Sequence, residues 1–362
     1  MLASREKIST RQAVILFLTF VYSPAIRLFP VYAARIGERA GWLAPVFVIV
    51  PFIFLVYTMQ AFFKEEKEEN LSDIICKIMG RIPGKILIAF YLLWIMVLLG
   101  LYVRYYSERF LTSLLPNTPM VFFTLTILAV VFFVTRGGIV LLARGTEFFF
   151  LLFSFIFIIL FLLTLTNVEL INLLPVTHYD IFPVIKSTYS ILGIWAYFTF
   201  IFFFGDEIND KENIRIFGIQ GSAYILVMGT MLLVQTIGVY GYSIIQRAPL
   251  PYFLVIKSVA IMDTIERIES VALAFWVIVD FVIISVFLHI ITSIIKSLFS
   301  LSQSKTFISP ITIFAFIFSF YIAKNLFELE NFSNYIGLQL NIFFGFIIPY
   351  ALYVIGRVRN KI

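Results

Sequence analysis

The sequence predicts an all-α, polytopic membrane protein with about ten transmembrane helices, and three observations carry that prediction. Only 13% of the 362 residues are charged, where a soluble domain carries roughly 25% because its surface must face water. The hydrophobic set reaches 61% and includes 43 Phe, a side chain that lipid accepts on an exposed surface and water does not. Apolar stretches of about 20 residues recur along the chain, each long enough to cross the hydrocarbon core. Together these exclude a soluble enzyme. Barrel strands need alternation over about ten residues, and a segment such as FFFLLFSFIFIILFLL is apolar at every position. Helices are the better reading.

Runs of apolar residues between polar breaks place spans near 12–34, 42–62, 85–111, 119–135, 141–166, 183–204, 215–240, 271–298, 308–326 and 333–356. The gaps are too short for a soluble domain, so residues 1–362 form one transmembrane domain. The polar start MLASREKISTRQ leads straight into span 1 without a small-residue cleavage site, so that span is expected to be retained. The net charge of +6 is a topology signal: most basic residues fall in the segments on the side of the N-terminus. That bias puts both termini in the cytoplasm. Cys76 is the single cysteine, so no internal disulfide exists. His178 and His289 have no Cys or His neighbours in sequence, and no metal or other cofactor is expected.

Two connecting segments read as ordered. After the KEEKEEN run, Leu71, Ile74, Ile75, Ile78 and Met79 recur at helical spacing, as in a short amphipathic helix on the inner membrane surface. The outer segment at 249–270 is too apolar for a free loop and too charged to span; a helix over the outer mouth is expected.

Span 1 carries SPAIRLFP, with Pro24 and Pro30 bracketing Arg27. Proline lacks a donor and clashes with the preceding turn, so an interruption is expected at Ser23, Pro24 and Ala25. A simple proline kink would leave the same trace. Discontinuous helices are a recurrent binding device in transporters. In span 6, Gly193 is the one strong breaker, followed by Trp195 and Tyr197; an unbroken helix with aromatic residues is the alternative there.

Ionisable groups inside spans are expensive and usually face a partner or a cavity. Arg104 and Glu108, four apart, share a face of span 3 and can pair. Arg144 and Glu147 open span 5 and are read as a pair, an interfacial anchor or part of an inner gate. Asp280 is the deepest acid, nearly opposite the stripe Ser285, His289, Thr292, Ser293 and Lys296, so one network does not easily hold both. HExxH, GxSxG and Walker A signatures are absent from the sequence.

Taken in order, KIS-x-x-Q (7–12), NLSDIICKIMG-x-x-PGK (70–85), YYSERFLTSLLPNTP (105–119), LLARGTE (141–147), NLLPV (172–176) and ERIESVALAFWVIVDFVIIS (266–285) resemble the spore germination permease family. Its members are the B-subunits of nutrient germinant receptors, within the amino acid/polyamine/organocation superfamily. The resemblance implies a LeuT-like five-plus-five inverted repeat with broken helices 1 and 6. It also implies a receptor complex with an A-subunit and a lipoprotein C-subunit in the spore inner membrane. The expected ligand is a small germinant such as an amino acid, held by Ser23, Pro24, Ala25, Arg27, Gly193, Trp195 and Tyr197. Arg104, Glu108, Arg144, Glu147 and Asp280 are the expected gating or coupling residues. The family's acidic position in span 6 is here Tyr197. The implied partners are thus the two other subunits, the lipid bilayer and the small germinant, and no nucleic acid is among them. A proton-coupled amino acid or ion transporter of the same fold, using Glu108, Glu147 or Asp280, is the alternative; a scaffold serving only assembly is a third.

Overall fold

The computed structural model describes residues 7–64, 66, 68–113, 115–258, 268–301 and 303–362. The first half comprises α1 (Thr10–Gly37), α2 (Ala44–Phe63), the short α3 (Leu71–Met79), α4 (Arg81–Ser113), α5 (Met120–Gly137) and α6 (Ile139–Thr164). The second half comprises α7 (Ile181–Trp195), α8 (Phe198–Ile201), α9 (Ile214–Tyr240), α10 (Tyr242–Ile245), α11 (Pro251–Lys257), α12 (Ile268–Leu298) and α13 (Ile308–Tyr321). It closes with α14 (Leu326–Phe332), α15 (Leu338–Ile342) and α16 (Ile348–Val358). Among the described residues, eight runs are long and apolar enough to cross a membrane. The first, Thr10–Phe63, holds both α1 and α2, and Lys305–Tyr321 is a shorter apolar helix. Counted together they form ten spans.

Local chemistry sets the helix ends. Ser9 and Gln12 form a reciprocal capping box at the start of α1, and Asn70 with Asp73 does the same for α3, each satisfying donors that a helix start leaves free. Gly138, at φ +93, makes the reversal between α5 and α6 in a region that side chains avoid.

Burial sorts the spans. The segment His178–Glu207 is 89% buried over its most apolar window, whereas Ile139–Asn167 is only 22% buried. Helices α1, α4, α7 and α12 therefore form the centre, while α5, α6 and α13 shield them. Phe90, Phe122, Phe133, Phe148 and Phe155 are exposed on the outer faces, where lipid is the solvent. The apolar face of α3 turns inward: Leu71, Ile74, Ile75 and Ile78 are buried against α4, α16 and α12. The apolar face of this helix is thus docked on protein. In the segment where an outer helix is expected, α11 packs on α9, α12 and α1; the rest of that segment, 259–267, lies outside the described residues.

The two expected interruptions differ. Span 1 stays helical through Pro24 and Pro30. What the prolines remove is a donor each, so the carbonyls of Phe20 and Ile26 lose their usual partners. The chain there frees two carbonyls without forming the interruption expected at Ser23, Pro24 and Ala25. Span 6 does break, two residues beyond Gly193: α7 ends at Trp195, Ala196 and Tyr197 form a turn, and α8 passes into the 3₁₀ segment Phe202–Glu207.

Span 10 holds this break open. It contains two π-helical turns, Ser333–Gly337 and Phe343–Ile347, whose wider winding disturbs the carbonyl ladder. Tyr91 Oη donates to the Phe344 carbonyl at 2.6 Å, and Thr199 Oγ1 donates to the Gly345 carbonyl at 2.7 Å. A Cβ on Gly345 would stand 2.5 Å from both the Cβ and the carbonyl oxygen of Ala196. Gly345→Ala is therefore expected to cost about 1–3 kcal/mol by overpacking and to lower the unfolding midpoint of the purified protein. Gly145→Ala, inside α6 with nothing within 4 Å of the new methyl, is expected to leave that midpoint unlowered or to raise it slightly, since alanine favours the helix.

Candidate functional site

At mid-depth Arg27 of α1 is buried, with 6% of its surface exposed. Its guanidinium lies 3.4 Å from the centroid of the Tyr105 ring, a cation–π contact that partly replaces water. Nη1 is buried with no hydrogen-bond partner among the described residues. It borders a cavity lined also by Tyr102 of α4, Ile194 and Tyr197 at the span 6 break, and Ser333, Leu338 and Asn341 of span 10. The free space for a water-sized sphere is ≈ 10 Å³, about what one water needs. A larger ligand enters only when these helices part.

Four side chains form a chain across one wall. Trp94 Nε1 donates to Asn341 Oδ1 at 3.0 Å, Asn341 Nδ2 donates to Tyr197 Oη at 3.1 Å, and the Tyr197 and Tyr102 hydroxyls are 2.9 Å apart. Gly193 lets this wall close: a Cβ there would lie 2.6 Å from Leu338 Cδ2.

The other residues expected in span 1 and span 6 go elsewhere. Ser23 Oγ donates to Asp280, accepts from Trp276 Nε1 at 3.0 Å, and lies 3.4 Å from Arg109 Nη2. Arg109 pairs with Asp280 and stacks over Trp276 at 3.7 Å. Here both charges are buried and matched. Pro24 and Ala25 are helical and buried, and Ala25 borders a second, apolar cavity with Tyr22, Tyr224 and Trp195. Trp195 packs on Phe52 at 5.2 Å. It thus faces away from Tyr197, and the two aromatics do not converge on one ligand position.

The expected gating residues occupy three places. Arg104 and Glu108 pair, with Nη2 to Oε1 at 2.6 Å, and Arg104 also reaches the carbonyls of Ser319 and Lys324. Asp280 belongs to the Arg109 pair. Glu147 accepts from Gln12 Nε2 at 3.2 Å and lies 3.7 Å from Arg11 Nη2, so it ties α6 to the start of α1; Arg144 is exposed. Nearby the chain before α1 is fixed to the segment after span 6 by a bridge between Ile8 and Ile208 and by Thr10 Oγ1 donating to Asn209. On the opposite side of α12 from Asp280, His289 Nε2 lies 3.3 Å from Glu207 Oε1 and Lys296 Nζ 2.8 Å from Asp206 Oδ2. The two networks are separate, as the helical spacing predicts.

Sequence reasoning missed Arg109, Tyr102, Trp276, Trp94 and Asn341. Arg109 was masked by the neighbouring Arg104 and Glu108 pair. Asn341, an amide inside an apolar span, was visible as an intramembrane polar residue. Removing one partner of the buried pair is strongly destabilising. Arg109→Leu is expected to cost roughly 3–5 kcal/mol and deplete the protein from membranes. Adding Asp280→Leu is expected to restore much of the lost abundance, as immunoblots of both variants will read.

The fold is that of known transporters. A structure of MhsT in complex with L-phenylalanine superposes with a TM-score of 0.68 at 13% identity, covering 94% of this chain and 88% of that one. A closed, bromovinylhydantoin-bound structure of Mhp1, a nucleobase-cation-symport-1 family transporter, gives 0.61 at 13% identity, covering 91% and 75%. Among proteins of Bacillus subtilis (strain 168), YfkT is 24% identical over 98% of this chain and 97% of its own length. Spore germination protein KB is 21% identical over 99% and 96%. The family model described as spore germination protein matches residues 7–327, which places Arg27, the span 6 break and the Arg109–Asp280 pair inside the matched region: the chain belongs to the spore germination protein family.

Proposed function

We propose that this chain is the germinant-sensing membrane subunit of a spore nutrient receptor, and that its ligand is a small nutrient with a carboxylate, such as an amino acid. One observation carries the reading: a buried arginine whose Nη1 has no partner among the described residues borders a cavity at the break of span 6. An arginine is always charged and donates only, so a carboxylate is its natural complement. The cavity takes about one water in the closed form. Binding therefore favours a more open arrangement, and a ligand with different affinity for two arrangements shifts their populations. In this reading the chain lies in the inner membrane of the spore, both termini on the core side, beside an A-subunit and a lipoprotein C-subunit.

The test is a binding screen of amino acids, sugars and nucleosides on the purified complex, followed by dose–response curves in spores. Arg27→Gln is expected to raise the nutrient threshold at least about tenfold, the worth of a charged hydrogen bond, at equal receptor level. A superimposable curve would refute the placement. Accumulation of the labelled ligand in proteoliposomes, driven by a proton gradient, would favour the transporter reading instead.

The tie between Glu147 and the start of α1 fits an inner lock. Glu147→Gln is expected to shift the nutrient threshold while leaving protein abundance intact, because a bias of a few kcal/mol changes populations strongly. An unchanged threshold at equal abundance would leave only an interfacial anchor.

A further inference from the structure

The wall beside Arg27 contains more donor protons than it has acceptors, and the surplus is set by span 10. Trp94 Nε1 can only donate, so Asn341 must turn its Oδ1 toward Trp94 and its Nδ2 toward Tyr197, as the two contacts of 3.0 and 3.1 Å require. The Tyr197 hydroxyl thereby receives a bond and gains no acceptor from the amide. Its other polar neighbour is the Tyr102 hydroxyl at 2.9 Å. Two phenol protons remain for one mutual bond. Whichever phenol donates in that bond, the proton of the other has no acceptor in this chain of contacts, and both rings line the cavity with Arg27. Tyr105 does not absorb it, since its own hydroxyl bonds the Leu329 carbonyl and Ser333.

We propose that Tyr102 and Tyr197 act as one shared hydrogen-bond donor, polarised by Trp94 and Asn341, that recognises the ligand carboxylate together with Arg27. This rests on the reading above and deepens it, assigning specificity to the two phenols and a positioning role to Trp94 and Asn341. A carboxylate accepts from both the guanidinium and the surplus phenol. A carboxamide satisfies the phenol and leaves the arginine charge unmatched. Because either phenol can supply the proton, the two are redundant. With Tyr102→Phe the Tyr197 proton is left over, and with Tyr197→Phe the Tyr102 proton is.

The experiment measures binding of the standard L-amino acids and their carboxamides to the purified full-length chain in lipid nanodiscs. The readout is the acid-to-amide affinity ratio for each amino acid that binds. Tyr102→Phe and Tyr197→Phe are each expected to keep the wild-type ratio within about threefold, close to ordinary additivity error. The double variant is expected to lose about tenfold or more in acid affinity, as removal of a hydrogen bond to a charged group does, and less in amide affinity, whose bond to the phenol is neutral, so the ratio falls by more than about threefold while amide binding persists. A single variant that loses the preference fully, a double variant that keeps it, or a double variant that binds neither acid nor amide would each overturn the shared donor. The underlying reading fails separately: no acid preference in the wild type, no binding at all, or an Arg27→Gln variant with an unchanged ratio would refute the Arg27 site, and this inference with it.

Discussion

Hydrocarbon offers no hydrogen-bond partner, so a polar group buried in the bundle has only the protein, or what the protein encloses, to answer it. That constraint organises the centre of this protein. The turn at Ala196 and Tyr197 interrupts the span 6 ladder, and span 10 meets it with carbonyls exposed by its own π-turns, taken up by Tyr91 and Thr199. Gly345 is small because the two backbones nearly touch there. The turn in one helix and the π-turns in the other meet at this point, beside the cavity that both helices line.

The two buried arginines on the α1 side of the bundle show how differently the same group is treated. Arg109 has a carboxylate, a hydroxyl and an indole face within contact, so its charge is spent inside the protein and the cluster ties α1, α4 and α12 together. Arg27 has an aromatic face and no acid in contact among the described residues. A matched pair stabilises one arrangement of helices. An unmatched cation leaves an interaction that only a further component completes, and the proposed ligand site rests on that difference.

Much of the architecture was legible in the sequence because lipid imposes simple rules. Span positions follow from apolar length, and separation of Asp280 from the His289 stripe follows from 100° per residue. The site was less legible. The prolines of span 1 announced a break, yet the helix continues, since buried neighbours hold its course on both sides. Span 6 breaks at Ala196–Tyr197, where no proline or glycine stands, because the interruption is imposed by packing against span 10. Trp195 and Tyr197 are two residues apart across a turn, and only the fold sends them to different cavities. Arg109 and Asp280 meet across 171 positions, a pairing that no local pattern encodes.

The bridge between Ile8 and Ile208 bears on how the chain is made. Its partners are separated by 200 residues, so Ile8 cannot make this bridge until the sixth span has been synthesised. Span 1 enters the bilayer much earlier, carrying two carbonyls without their usual partners and a charged Arg27. Tyr105 and Arg109 arrive with span 3, but Asp280 only with span 8. During synthesis the first helix is thus the least satisfied element in the membrane. Insertion machinery that shelters it until the later spans arrive would govern the yield of correctly folded protein.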